Sequence, residues 1–203
     1  MNILTGLGLL VFAYLCGSLP FSIWLTRWKT GTDVRSAGSG HATATNTIRQ
    51  AGWAVGALVL VLDLGKGFLP VYLALRFQSP VWMVMLVAMM AVIGHCWPVF
   101  AGFRGGMGLA TTSGTMLAIS PLAWLIGLGI LIILMLLIKH AARAVVIAAV
   151  VIPSVYWVVG FREEIIWVAI GLAVVVGLRF LIDWKRQYRE LWLDRESDAK
   201  KPS

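Results

Sequence analysis

Apolar runs of membrane length constrain this chain more than any other feature. Residues 81–99 and 121–138 contain no Asp, Glu, Lys or Arg. A bilayer core about 30 Å thick needs about 20 apolar residues per helix, and these runs match that length. Charged residues are 13% of the chain and hydrophobic residues 60%, against roughly 25% charged in a soluble domain. The expected fold class is therefore an all-α integral membrane protein. The first apolar run, 3–25, has no charged leader segment and no clear small-residue cleavage site, so it reads as a retained helix.

Apolar segmentation predicts about seven crossings, near 3–27, 47–77, 81–99, 106–119, 121–138, 142–159 and 164–182. Arg27, Lys29, Arg35, Arg49, Arg104, Lys139, Arg143 and Arg179 then face one side, together with the cations of the C-terminal tail. Only Arg76 and Arg162 face the other. Positive loops stay in the cytoplasm, so the N-terminus is expected outside and the C-terminus inside. The segment 47–77 is long for one span, and "LDLGKG" (62–67) is read as a break within a single crossing. One multi-helix membrane domain is expected over 1–184, followed by a basic cytoplasmic tail over 185–203.

Two glycine-rich loops fall on the predicted cytoplasmic side. The first, "AGSGHATATNTIRQ" (37–50), has no acidic residue. Gly38 and Gly40 allow positive φ and expose successive N–H groups, which is the chemistry of an anion nest. Ser39, Thr43, Thr45 and Thr47 add hydroxyl donors. Asn46 or Thr47 is placed to cap a helix beginning near Ile48. Arg49 would then sit in that helix's first turn, where a bound anion would relieve its conflict with the helix dipole. Just upstream, Asp33 and Arg35 are spaced to pair. The bland alternative is a plain connector carrying the positive-inside charge.

The second loop, "HCWPVFAGFRGGMGLATTSG" (95–114), surrounds Arg104 with Gly102, Gly105, Gly106 and Gly108. Thr111, Thr112 and Ser113 lead into the next helix. Two such loops on one membrane face favour a phosphate-type ligand over two coincidental connectors. Neither has Walker spacing. Asp63 and Lys66 lie three apart within an apolar run and can pair on one helix face. Intramembrane charges are costly and mark a function or an internal partner. His95, at a span's end, is either a base or a satisfied helix-end histidine. His140 belongs with Lys139 and Arg143 in the positive-inside signal. Cys16 and Cys96 form no metal-ligand pattern, so no metal or other cofactor is expected.

Four blocks in order, "GSLPF", "DVRSAGSGHATATNTIR", "LDLGKGFLPV" and "GHCWPVFAGFRGGMG", make the chain similar to the bacterial PlsY family of membrane acyl-phosphate:glycerol-3-phosphate acyltransferases. The resemblance implies seven membrane helices in the bacterial inner membrane. It also implies transfer of an acyl group from acyl-phosphate to glycerol 3-phosphate, giving lysophosphatidic acid. Both substrates carry phosphate. Nucleic acid has no place in such chemistry; the partners are membrane lipids and other enzymes of phospholipid synthesis.

Mapped on that pattern, Ser39, His41 and Arg49 are the expected catalytic residues. Gly38, Gly40, Thr45, Asn46, Arg104, Gly105, Gly106, Gly108 and Gln187 are expected to bind substrate or phosphate, with Asp63, Lys66 and His95 in support. The chain departs from the family pattern at several places. His41 stands for an asparagine, Thr43 for a glycine and Met107 for a lysine, while Trp184 and Gln187 stand where the family has a histidine and an asparagine. These departures keep open a catalytically impaired paralogue that binds phosphate or anionic lipid, and an acyltransferase of altered substrate. A small transporter is the third reading, prompted by Asp63 and Lys66.

Overall fold

The computed structural model describes residues 3–184, and the regular elements among them are helical. They are α1 (Ile3–Gly17), α2 (Phe21–Thr30), α3 (Ala44–Ala51), α4 (Trp53–Arg76), α5 (Val81–Cys96), α6 (Leu109–Ile119), α7 (Pro121–Ile138), α8 (Ala141–Val159) and α9 (Glu163–Ile182). Short 3-10 turns lie at Val34–Ser36 and Val99–Ala101. The predicted tail, 185–203, lies outside the described residues, and so does Gln187.

With α1 and α2 taken as one segment, six helices are long and apolar enough to cross a membrane. The predicted fourth crossing is the shorter α6, whose 11 residues extend about 16 Å at about 1.5 Å per residue. Ser120 ends α6 and accepts the Ala123 N–H as the cap of α7, so the chain reverses without a loop.

The 47–77 segment differs from its sequence reading. The break falls at Gly52, whose φ of 90° separates α3 from α4. "LDLGKG" is continuous helix within α4. The reason lies in packing: a Cβ on Gly67 would run into the Thr111 backbone, and one on Gly114 into the Leu64 backbone. Glycine here lets α4 and α6 approach closely, as small residues do between membrane helices. Gly17 against Ala91 and Gly94 against Tyr14 give α1 and α5 the same contact.

The core is aliphatic, with Val87, Val92, Val168 and Leu172 buried. Large side chains such as Leu137, Val150, Trp157 and Val158 are exposed, as a lipid-facing surface requires. Helices α5, α7 and α9 end, and α6 and α8 begin, at the end of the bundle that carries both glycine loops.

Candidate active site

Polar side chains staple the first loop into one shape. Thr43, not Asn46 or Thr47, caps α3, accepting the Asn46 N–H at 3.2 Å. The helix therefore starts at Ala44, and Arg49 falls in its last turn rather than its first. No dipole conflict exists there; a cation near a helix C-terminus is favourable. Gly38 and Gly40 do take positive φ, 62° and 69°. Asn46 is fully buried, and its amide donates to the carbonyls of Val34 (2.7 Å), Ala37 (3.1 Å) and His41 (3.1 Å). Its carbonyl oxygen accepts the Ser39 N–H at 3.4 Å. Asn46 thus holds the loop together and is not among the residues lining the cavity described below.

Asp33 and Arg35 form the predicted pair, at 2.8 Å. Arg35 also donates to the carbonyls of Ala101 (2.8 Å) and Arg104 (3.1 Å), so the pair clamps the first loop to the second. The adjacent Arg35 guanidinium holds the Asp33 carboxyl below the usual carboxylate range, and Asp33 raises Arg35 in turn. A backbone bond from Ala42 N–H to the Gly105 carbonyl, 3.3 Å, joins the loops a second time. Gly105 and Gly106 are buried at this junction, where a Cβ would strike His95, Cys96 or Ala42.

Behind the junction, Lys66 meets Asp63 at 2.8 Å, both side chains being under 5% exposed. Lys66 also donates to the Leu19 carbonyl (3.0 Å), in the break between α1 and α2 where helical bonding is interrupted. That carbonyl also accepts the Phe21 N–H at 3.1 Å, so Lys66 is its second donor and ties α4 to the break. His95 Nδ1 lies 3.7 Å from Asp63, beyond hydrogen-bonding range, and has no hydrogen-bond partner among the described residues.

These elements enclose a cavity of about 490 Å³. Its polar wall includes Ser39, His41, Thr43, Thr45, Arg49, Asp63, His95 and Ser113, with the helix starts at Ala44 and at Gly108–Ala110; Leu60, Met107, Leu128, Leu131, Ile132, Met135, Ala141 and Phe180 line its apolar side. Two helix N-termini open onto it. The N–H groups of Ala44 and Thr45 at the start of α3 have no acceptor among the described residues, nor do those of Met107 through Thr111 at the start of α6. Unpaired N–H groups at a helix start bind anions. Arg49 lines the cavity and has no ion-pair partner among the described residues.

Of the predicted residues, the structure gathers Ser39, His41, Thr45, Arg49, Asp63, His95 and Gly108 around one space. Gly38, Gly40, Asn46, Lys66, Gly105 and Gly106 shape its walls from behind. Arg104, expected to bind phosphate, has an exposed side chain that is not among the residues lining this cavity, and its carbonyl accepts from Arg35. Met107, in place of a lysine, is 8% exposed, packs with the apolar core and lines the cavity with an uncharged side chain. Two site residues escaped the sequence reading. Arg179 and Asp183, at the end of α9, are both buried and meet His41. Their i,i+4 spacing was the available signal. Among the described residues, no three His, Cys, Asp or Glu side chains converge as metal ligands would.

A family model for glycerol-3-phosphate acyltransferase matches residues 7–190. A glycerol-3-phosphate acyltransferase of Serratia proteamaculans is 36% identical over 195 residues, covering 93% of this chain and 90% of that protein. One of Salmonella arizonae is 34% identical, covering 97% of each. A crystal structure of PlsY (YgiH), an integral membrane glycerol 3-phosphate acyltransferase, in its glycerol 3-phosphate form, superposes with a TM-score of 0.79 at 32% identity, covering 90% of this chain and 91% of that one. The lysophosphatidic acid form superposes at 0.75 with 29% identity. With a match that spans nearly the whole chain, the protein belongs to the glycerol-3-phosphate acyltransferase family.

Proposed function

We propose that this chain transfers an acyl group from acyl-phosphate to the 1-hydroxyl of glycerol 3-phosphate, producing lysophosphatidic acid and inorganic phosphate. The observation that carries the reading is the two-sided cavity. Open helix N-termini and Arg49 furnish an anion-binding wall, and Leu128, Leu131, Ile132 and Met135 on α7 face it. An acyl-phosphate has that same division, a dianionic head on a hydrocarbon chain.

In the transfer, the acceptor hydroxyl oxygen attacks the acyl carbonyl carbon. An ester bond forms, the carbon–oxygen bond to phosphate breaks, and phosphate leaves as the hydroxyl proton is released. An acyl-phosphate is a mixed anhydride with a good leaving group. Positioning and neutralisation of charge therefore supply most of what the reaction needs. The starts of α3 and α6 hold phosphate groups, Arg49 balances their charge, and Ser39 and Thr45 orient hydroxyls. The loop end of the bundle carries Arg27, Lys29, Arg35, Arg49, Arg104, Lys139, Arg143 and Arg179, against Arg76 and Arg162 at the other. That bias supports a site on the cytoplasmic face of the bacterial inner membrane, within reach of phospholipid-synthesis enzymes that supply the donor.

The test is direct. Purified protein is given palmitoyl-phosphate and labelled glycerol 3-phosphate, and lysophosphatidic acid is measured. Product formed in proportion to protein supports the reading. No product at saturating donor and acceptor, with phosphate still bound, would replace it with a binding protein or a different acceptor.

A further inference from the structure

Three buried polar side chains play no direct part in the reaction just described. His41 comes from the first glycine loop, and Arg179 and Asp183 from the end of α9; they are 7%, 8% and 7% exposed. Arg179 donates from Nε to the Gly106 carbonyl at 3.1 Å and from Nη1 to Asp183 Oδ2 at 3.1 Å. Its Nη2 lies 3.1 Å from His41 Nδ1. His41 Nε2 lies 3.0 Å from Asp183 Oδ2.

A guanidinium only donates, so His41 Nδ1 must accept, and the proton of the neutral ring sits on Nε2, facing Asp183. A second proton would set two donors against each other at 3.1 Å. His41 is thus held as a neutral imidazole with both nitrogens engaged, which suits a structural link better than a base.

The bond to Gly106 has a consequence for the cavity. The Gly106 carbonyl and the Met107 N–H belong to one planar trans peptide unit and point in opposite directions. Fixing the carbonyl on Arg179 fixes that N–H, the first of the unpartnered run from Met107 to Thr111. Position 107 itself supplies no charge, since its methionine is buried in the core. Arg179 is a buried cation in direct contact with this loop.

We propose that Arg179, held by His41 and Asp183, is the positioning residue that orients the start of α6 toward the donor phosphate in a loop whose own side chain at 107 is uncharged. This rests on the acyltransferase reading, and it makes Arg179 act through the Gly106–Met107 peptide and not on the reacting atoms. His41 is a positioning residue by the same argument.

The experiment measures inorganic phosphate binding by calorimetry on the intact protein in detergent, alongside KM and kcat for palmitoyl-phosphate. Arg179→Met is expected to raise the phosphate Kd and the donor KM about 10- to 100-fold, the scale of a lost charged hydrogen bond. Arg179→Lys, which keeps a cationic donor for the Gly106 carbonyl, should recover most of the lost affinity, whereas Met107→Lys adds a cation without restoring that bond and should tighten phosphate binding in parent and variant alike. A merely structural arginine would lower the melting temperature without raising donor KM ahead of any change in kcat. Asp183→Asn keeps the guanidinium but loosens it, and should shift both constants in the same direction by less; it decides the matter if Arg179→Met does not fold. Unchanged phosphate affinity in the folded variants, or a loss that Arg179→Lys leaves untouched, would overturn the proposal. Should the unaltered protein make no product, the acyltransferase reading fails, while phosphate calorimetry still decides what Arg179 does.

Discussion

Replacing Lys66 by methionine removes the partner of a carboxylate that has nowhere else to go. Asp63 lies 2.8 Å from Lys66, with the two side chains 3% and 4% exposed, in the middle of α4. Breaking a buried pair by deleting one member costs about 3–5 kcal/mol, because the other charge is left uncompensated. Methionine preserves most of the side-chain volume, so a cavity term adds little. The Leu19 carbonyl also loses the ammonium donor at 3.0 Å but keeps the Phe21 N–H at 3.1 Å, so that loss adds little. For a chain of this size each kcal/mol lowers Tm by about 2–4 °C, so the pair alone predicts a fall of roughly 6–20 °C.

Thermal unfolding in a fixed detergent, followed by tryptophan fluorescence, measures the change. The double variant Asp63→Leu/Lys66→Met removes both charges and should recover much of the loss, since a buried pair replaced by apolar groups is often neutral. A Lys66→Met protein melting within about 3 °C of the parent, less than the smallest loss expected from the pair, would refute the reasoning. So would a double variant no more stable than the single one, which would show that the stranded carboxylate was not the cause.

Gly114→Val forces a side chain into the Leu64 backbone, where α4 and α6 touch. Overpacking costs about 1–3 kcal/mol or more where backbone must move, whereas Gly129→Val, with open space around its Cβ position, should melt close to the parent. The loop clamp should depend on acid. The Asp33 carboxyl is held low by Arg35, so its contribution is fully present above the ordinary aspartate value of about 4 and is lost as pH falls through the lower folded value. Proteolysis of residues 31–43 should accelerate over that acid range in the parent, and Asp33→Asn should abolish the pH dependence. A parent and a variant with the same acid profile would disconnect the clamp from Asp33.

Much of the fold was legible because lipid imposes strict requirements on sequence. Apolar length marked the helices, and the rare intramembrane charges, Asp63 and Lys66, had to find each other. The glycine loops were visible from composition, and the positive φ at Gly38 and Gly40 followed from residue type. What stayed hidden was what glycine does inside a helix. In "LDLGKG" it suggested a break, while Gly67 serves a close contact with α6 that only the tertiary fold creates. Asn46 fits either task from its residue type, since an amide can hold a substrate or a loop; the sequence could not show its burial or its three carbonyl partners in the loop. Arg104 drew attention by its place among glycines, but which way its side chain faces depends on tertiary contacts such as the Arg35 bond to its carbonyl, which sequence does not show. Arg179 was absorbed into the positive-inside count, and its contact with His41 spans 138 positions of sequence.

The central claim is that the cavity between the two loops, and not the exposed outer face of the second loop, is where acyl transfer takes place. Arg49 lines that cavity and Arg104 does not. The decisive measurement is therefore a matched pair, Arg49→Ala and Arg104→Ala, assayed for lysophosphatidic acid formation from palmitoyl-phosphate and glycerol 3-phosphate, with melting temperatures recorded for both. Loss of a charged partner to phosphate corresponds to about 2–5 kcal/mol, so Arg49→Ala should lower kcat/KM by a factor of roughly 30 to several thousand. Arg104→Ala should stay within about threefold of the parent, as a surface charge does. Full activity in Arg49→Ala, or an equal loss in Arg104→Ala, would contradict the account.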